Sequence, residues 1–118
     1  MPGFLDDYAI VRDAEYNVAY WNLHDSELTH DGGRYLVDGR PLAFFHYSGF
    51  DPDLPHELSR FQNRVRVPRE SALEQLLDSY ARAIEAEGHA KLRKLPYRFA
   101  ALPNGTPFDL SLIHIRCV

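Results

Sequence analysis

LAFFHYSGF, residues 42–50, has the composition of a buried β-strand followed by a polar exit. Bulky apolar residues favour a rigid strand, and ligands of α/β proteins bind where strands end. The exit carries an imidazole at His46, a hydroxyl at Ser48 and an unobstructed backbone at Gly49. We therefore predict that these residues belong to a binding site. The alternative is a hydrogen-bonded histidine of the core or of a loop, which is the more common role for a lone histidine.

A tight hairpin is predicted directly before this stretch. Asp38-Gly39 tolerates the positive φ angles of a two-residue turn, and the apolar segments Tyr35–Val37 and Leu42–Phe45 flank it. Pro41 lies just past the turn, where it need not interrupt the ladder. The pattern thus predicts two antiparallel strands joined at Asp38-Gly39.

Two further strands and a loop are predicted upstream. Tyr16–Leu23 is rich in aromatic and β-favouring residues, with apolar groups on both sides, which predicts a largely buried strand. A shorter strand is predicted over Tyr8–Val11. Residues 24–33 are polar and contain Gly32-Gly33, and we predict a loop there.

The strongest helical pattern in the chain runs from Glu70 to Glu87. Ser71 and Glu74 have the spacing of a capping box, and Gly88 is a favourable stop. The apolar positions recur at helical spacing: Leu73, Leu76, Leu77, Tyr80 and Ile84. An amphipathic helix is therefore predicted, with its charged face in solvent.

Weaker signals flank that helix. Pro55 is compatible with the first turn of a short helix whose apolar side would carry Leu58, Phe61 and Val65. Residues 103–107, PNGTP, predict a turn.

Composition limits the possible classes. The 118 residues are 45% hydrophobic and 25% charged, which is typical of one globular domain. A net charge of -4 argues against general nucleic-acid binding. No apolar run approaches the roughly 20 residues that span a bilayer. Cys117 is the single cysteine and cannot form an internal disulfide, so a cytoplasmic location is predicted.

Two pairs of polar residues carry weak signals for chemistry. Asp51 and Asp53 flank a proline, and acid–base work by this pair competes with a helix-start role for Asp53. His24 and His30 are close in sequence, but a metal site there would lack further ligands.

A polar cluster interrupts the aromatic segment: Asn17, Asn22 and His24. Buried asparagines need hydrogen-bond partners. Two roles therefore stay open for the cluster, namely hydrogen bonds that anchor a loop and contacts to a ligand.

Two segments resemble the closing part of a catalytic domain in bacterial glycosyltransferases. They are NVAYWNLH at residues 17–24 and GRPLAFFHYSGFDP at residues 39–52. The resemblance extends over roughly residues 2–109, and it is specific at these two motifs and loose elsewhere. It implies a protein that transfers a sugar from a nucleotide-sugar donor to a glycan or polysaccharide acceptor in polysaccharide biosynthesis.

The residues around His46 are also similar to the His-Phe-x-Gly motif of glycogenin-like transferases with the glycosyltransferase-A fold. In that family the histidine helps to hold manganese and the donor diphosphate. The resemblance therefore implies that His46 binds a divalent cation, manganese or magnesium, with Ser48 and Gly49 beside the donor. It also implies donor or acceptor contacts by the upstream motif: Asn17, Trp21, Asn22 and His24. The family's Lys-Pro-Trp is replaced here by Asp51-Pro52-Asp53, which lacks the lysine that would contact phosphate.

The resemblance also implies a fragment. Glycosyltransferase-A domains use an Asp-x-Asp metal site in an amino-terminal half, and no such motif precedes Trp21. We therefore expect an incomplete domain that is inactive alone and whose missing half is a partner. The expected organisation is residues 1–66 as the end of the catalytic domain, 67–109 as a helical extension, and 110–118 as a tail. The tail segment Leu110–Ile115 resembles a translated sequencing-adapter end, although a terminal β-strand is the alternative.

The expected fold is α/β or α+β, with a small sheet containing a hairpin and helices after it. Two non-enzymatic functions are the alternatives. One is a carbohydrate-binding module that uses exposed aromatic rings, and the other is a domain that docks on a partner through the helix over Glu70–Glu87.

Overall fold

The computed structural model describes residues 9–96 and 100–107. The chain divides after Ala86 into two compact units. The first unit contains a 3₁₀ turn at Leu23–Asp25, strands β1 (Leu28–Asp31), β2 (Arg34–Val37) and β3 (Arg40–Pro41), and helix α1 (Ala72–Ala86), and the second contains the short helix α2 (His89–Leu92). The predicted mixed class, a small sheet with a hairpin followed by helices, is confirmed. Within the described ranges, no helix has the length and apolar character to cross a membrane.

The sheet is an antiparallel meander with strand order β1-β2-β3. Both connections are two-residue turns, because Asp31 pairs with Arg34 and Val37 pairs with Arg40. The φ angles are 53° and 79° at Gly32-Gly33, and 50° and 78° at Asp38-Gly39. Positive φ at both central residues is the requirement of a type I′ hairpin. The hairpin predicted at Asp38-Gly39 is therefore confirmed, whereas the loop predicted for residues 24–33 is wrong in its second half.

Residues 42–50 do not form the predicted strand, and β3 is limited to Arg40–Pro41. Phe45 alone pairs, in a single parallel bridge with Val18. The backbone hydrogen bonds explain why, since Ala43 and Phe44 both donate to the carbonyl of Glu15, at 3.0 and 3.2 Å. Segments 15–18 and 43–46 thus join in a short backbone contact that we call the clasp. His46 follows this bridge and is not at the end of a continuous strand.

The strand predicted for Tyr16–Leu23 is also wrong. Asn17 has a φ of 57°, which turns the chain out of an extended conformation. Leu23 then donates its N–H to the carbonyl of Ala19 at 2.9 Å, which closes a turn. Residues 9–11, the described part of the strand predicted over Tyr8–Val11, are irregular as well. Local turns therefore prevail over the β-propensity of these aromatic residues.

Helix α1 confirms the helix predicted over Glu70–Glu87. The N–H of Glu74 donates to the hydroxyl of Ser71 at 3.1 Å, as a capping box requires. The Glu74 carboxylate accepts from the N–H of Glu70 at 2.7 Å, one residue earlier than in the standard box. The short helix predicted near Pro55 is not formed, and residues 51–66 are turns and bends.

The core of the first unit joins the meander, the clasp and α1. Its buried members are Val18, Val37, Phe45, Leu58, Leu73, Leu76 and Leu77. Leu77 and Val37 are the largest side chains that are fully buried. The clasp residues Val18 and Phe45 are therefore held by packing on α1 as well as by backbone hydrogen bonds.

The second unit is small. Gly105 donates its N–H to Leu102 at 2.8 Å, and Ala101 bridges to Pro107, so the turn predicted at 103–107 is confirmed. The predicted tail at 110–118 lies outside the described residues, and the domain boundaries at 66/67 and 109/110 stay predictions.

Candidate ligand groove

A groove of about 640 Å³ lies in the first unit. Its walls come from two chain segments and contain Tyr20, Trp21, His24, Phe61, Gln62, Asn63, Arg64 and Val65. Trp21 is 41% exposed and Phe61 is 58% exposed. The groove therefore combines accessible aromatic rings with groups that can form hydrogen bonds, which is the usual composition of a small-molecule site.

Trp21 is held between two other rings. The Tyr20 ring lies 5.1 Å from it and the His46 ring 5.2 Å, both nearly at right angles, at 78° and 85°. His46 itself is fixed by the clasp, because its N–H donates to the carbonyl of Val18 at 2.7 Å. Phe44 lies nearly parallel to the imidazole at 6.2 Å. The two predicted site residues Trp21 and His46 are therefore neighbours, and the His46 side chain is exposed.

The Asn22 side chain of the upstream motif has a structural role. The side-chain oxygen of Asn22 accepts from the N–H of Ala19 at 2.7 Å, and its amide nitrogen donates to the carbonyl of Asn17 at 3.2 Å. Both ends of the amide are thus used in the turn that precedes the 3₁₀ turn, as the loop-anchoring alternative predicts. His24 lines the groove, and its Nε2 lies 3.3 Å from the carboxylate of Asp25.

Ser48 and Gly49 form a turn after the clasp, and neither lines the groove. Gly49 has a φ of 70°, and a Cβ built on it would lie 2.6 Å from the Phe61 ring and 2.8 Å from the Ser59 hydroxyl. Its carbonyl accepts from the N–H of Arg60 at 3.0 Å. The open backbone predicted at Gly49 is therefore covered by Phe61, and the missing side chain lets that ring approach.

The groove wall at 61–65 was missed because the sequence assigned Phe61 and Val65 to a short helix. Gln62 stabilises this loop by side-chain hydrogen bonds. Its side-chain oxygen accepts from the N–H groups of Arg64 and Val65, at 3.0 and 2.7 Å. Its amide nitrogen donates to the carbonyl of Val65 at 3.0 Å. The cluster of arginines around this loop is the sequence signal that could have indicated a binding segment.

The described residues around His46 do not form a metal site. Within 9–96 and 100–107, His46 belongs to no group of three or more histidine, cysteine or carboxylate ligands. Its ring neighbours, Trp21 and Phe44, offer no charge. The carboxylate of Asp51 accepts from the N–H of Asp53 at 3.0 Å, so it stabilises a turn. These residues alone do not fit a divalent cation at His46, which would need ligands from elsewhere.

An aromatic cluster surrounds Tyr47, which lies between the clasp and Gly49. Tyr47 stacks on Tyr80 of α1 with ring centroids 3.7 Å apart, and it contacts Phe45 at 4.7 Å and Phe50 at 6.0 Å. Burial raises the pKa of Tyr47 to about 12, and the nearby Tyr35 and Tyr80 add to the effect. This cluster connects the site segment to α1.

Alkaline pH is therefore expected to weaken the fold through Tyr47. Its pKa rises from an ordinary 10.0 to about 12, so the stabilisation is complete below pH 10 and falls as the pH rises towards 12. Urea unfolding across this range measures the fall, which should be smaller in Tyr47→Phe. The matched control is Tyr16→Phe, since Tyr16 is 50% exposed. An equal fall in Tyr47→Phe and in the wild type would contradict the expectation.

Comparison with family models, with curated proteins and with solved structures finds no match to this chain. The relation to glycosyltransferases therefore stays a prediction that rests on the two motifs.

Proposed function

We propose that this chain is the sugar-binding part of a glycosyltransferase catalytic domain and that a saccharide occupies the groove beside Trp21. The observation that carries the proposal is the contact between the two motif segments. Trp21 belongs to the first motif and His46 to the second, and their rings lie 5.2 Å apart. Segments that resemble the same family thus meet at one edge of one groove.

The chemistry of the groove supports a sugar ligand. Sugars present apolar C–H faces that pack on aromatic rings, together with hydroxyls that need hydrogen-bond partners. Trp21 and Phe61 offer the rings, and His24, Asn63 and Arg64 offer polar groups. The volume of about 640 Å³ is sufficient for one or two sugar rings.

In this proposal the donor is a nucleotide sugar and the acceptor is a glycan or polysaccharide. A divalent cation, manganese or magnesium, would take His46 as one ligand, and its other ligands would have to come from the donor diphosphate and from groups outside the described residues.

A non-catalytic carbohydrate-binding module is the second candidate. The position of the Phe61 ring favours it, because this ring occupies the side of Gly49 that the missing side chain leaves free. Such a module needs the groove and does not need a cation at His46. Docking on a partner through α1 is less well supported, since Leu73, Leu76 and Leu77 of its apolar face are buried in the core.

Trp21→Ala is expected to weaken saccharide binding on the order of tenfold, because an aromatic stacking surface is lost. Isothermal titration of the chain with a panel of neutral and acidic oligosaccharides measures this change. Tyr16→Ala is the matched control, since Tyr16 is an exposed aromatic residue that does not line the groove. Equal affinities for Trp21→Ala and the wild type would remove the groove from the proposal.

A titration of the full-length protein with UDP and manganese separates the two candidates. A glycosyltransferase is expected to bind UDP in a manganese-dependent way, and His46→Ala is expected to abolish that dependence. A binding module is expected to bind oligosaccharide with the same affinity in the wild type and in His46→Ala, and to show no binding of UDP.

A further inference from the structure

Residues 60–69, RFQNRVRVPR, concentrate positive charge in a chain whose net charge is -4. The segment holds four arginines and no carboxylate: Arg60, Arg64, Arg66 and Arg69. All four are exposed. The segment also forms one wall of the groove, so its charge lies beside the exposed aromatic rings.

The loop at the centre of this segment has a defined shape. The three hydrogen bonds of Gln62 to Arg64 and Val65 use both ends of its amide. Gln62 is therefore a positioning residue that has little capacity left for a ligand. Asn63 and Arg64 occupy the tip of the loop, and both are exposed and line the groove.

Arg64 differs from the arginine that has a structural role. Arg40 pairs with Glu15 at 2.7 Å and with Asp13 at 3.1 Å. Arg64 makes no ion pair with any residue of the described ranges, and the residues that line the groove include no aspartate or glutamate. Arg60 adds positive charge next to the groove, with its guanidinium 4.9 Å from the centre of the Phe61 ring. The groove therefore has a cationic end with no internal counter-charge.

We propose that the groove selects saccharides that carry an anionic group, either a carboxylate or a phosphate, and that Arg64 binds this group. This inference rests on the proposed function and adds the ligand class. A guanidinium fork matches both anions, because it can donate two parallel hydrogen bonds. Asn63 supplies an amide beside it, and the sugar ring lies against Trp21 and Phe61.

Four probes test the proposal on the whole chain by isothermal titration: cellobiose, cellobiuronic acid, glucose 1-phosphate and inorganic phosphate. The acidic sugars are expected to bind at least about tenfold more tightly than cellobiose, as charge-assisted hydrogen bonds predict. Cellobiuronic acid and glucose 1-phosphate distinguish a carboxylate from a phosphate. Arg64→Gln is expected to abolish the preference, so that cellobiose and the acidic sugars bind with similar affinity, and Arg64→Lys is expected to restore part of it.

Arg82→Gln is the matched control, because Arg82 is exposed on α1 and does not line the groove. It removes the same charge and is expected to leave the preference intact. Equal affinities for cellobiose and both acidic sugars, or a preference that survives Arg64→Gln, would overturn the inference. Trp21-dependent binding of cellobiose in that case would still support the proposed function. Failure of every sugar to bind would overturn both the proposed function and this inference, including the case in which inorganic phosphate alone binds through Arg64.

Discussion

Leu77→Ala is expected to lower the free energy of unfolding by about 2–5 kcal/mol, the range for a buried leucine truncated to alanine. Leu77 is 0% exposed and belongs to the cluster that joins α1 to the clasp and the meander. Truncation removes apolar contacts and leaves a cavity among side chains that cannot fully collapse. Urea denaturation of the wild type and the variant measures the difference.

Gln75→Ala on the same helix is the control, since Gln75 is exposed and alanine favours helix formation. It is expected to change the free energy of unfolding by less than about 0.5 kcal/mol. A loss of similar size in both variants would mean that α1 does not contribute its apolar face to the core.

Gly49→Ala is expected to lower the free energy of unfolding by about 2–5 kcal/mol, from two causes that add. A left-handed backbone disfavours an L side chain by about 1–2 kcal/mol, and a clash in a packed region adds about 1–3 kcal/mol. The new methyl would lie 2.6 Å from Cδ2 and 2.7 Å from Cε2 of the Phe61 ring. Because Phe61 lines the groove, its displacement is also expected to weaken ligand binding.

Gly39→Ala separates the two causes. Gly39 has a φ of 78°, but a Cβ there would meet nothing within 4 Å. Gly39→Ala is therefore expected to lower the free energy of unfolding by the backbone component alone and to leave the ligand affinity unchanged. If both glycine variants lose the same free energy in urea unfolding, the close approach of Phe61 to Gly49 is not a feature of the folded protein.

The elements that could be predicted have strong local signals. The Asp38-Gly39 turn needs positive φ angles that these residue types accept, and α1 combines apolar periodicity with a capping pair at Ser71 and Glu74. Gly32-Gly33 carries an equally clear hairpin signal, which the polar residues around it obscured. The local sequence was therefore sufficient to predict the Asp38-Gly39 turn and α1, whereas the hairpin at Gly32-Gly33 was predicted as a loop.

The two aromatic segments could not be predicted as they fold. Strand propensity favoured extended chains over 16–23 and 42–50, but propensity measures how side chains fit a sheet and does not specify a partner. Asn22 instead stabilises a turn by side-chain hydrogen bonds to the backbone of Ala19 and Asn17. The pairing of Val18 with Phe45 depends on segments that are distant in sequence.

The candidate site was predicted in part. Trp21, His24 and His46 were selected by their motifs, and the first two line the groove while His46 lies against Trp21. Phe61 and Arg64 were not selected, since only the tertiary fold brings them opposite Trp21. The close approach of Phe61 to Gly49 involves residues on either side of an irregular segment, and no periodic pattern indicates such a contact.

The clasp has a consequence for the order of folding. Both hairpins join neighbouring residues and can close within microseconds, whereas the clasp must first close a long loop at an entropic cost. Trp21 lies inside that loop and meets the His46 ring only after closure. It is also the single tryptophan of the chain, so we expect its fluorescence to report the closure of the clasp at this edge of the groove.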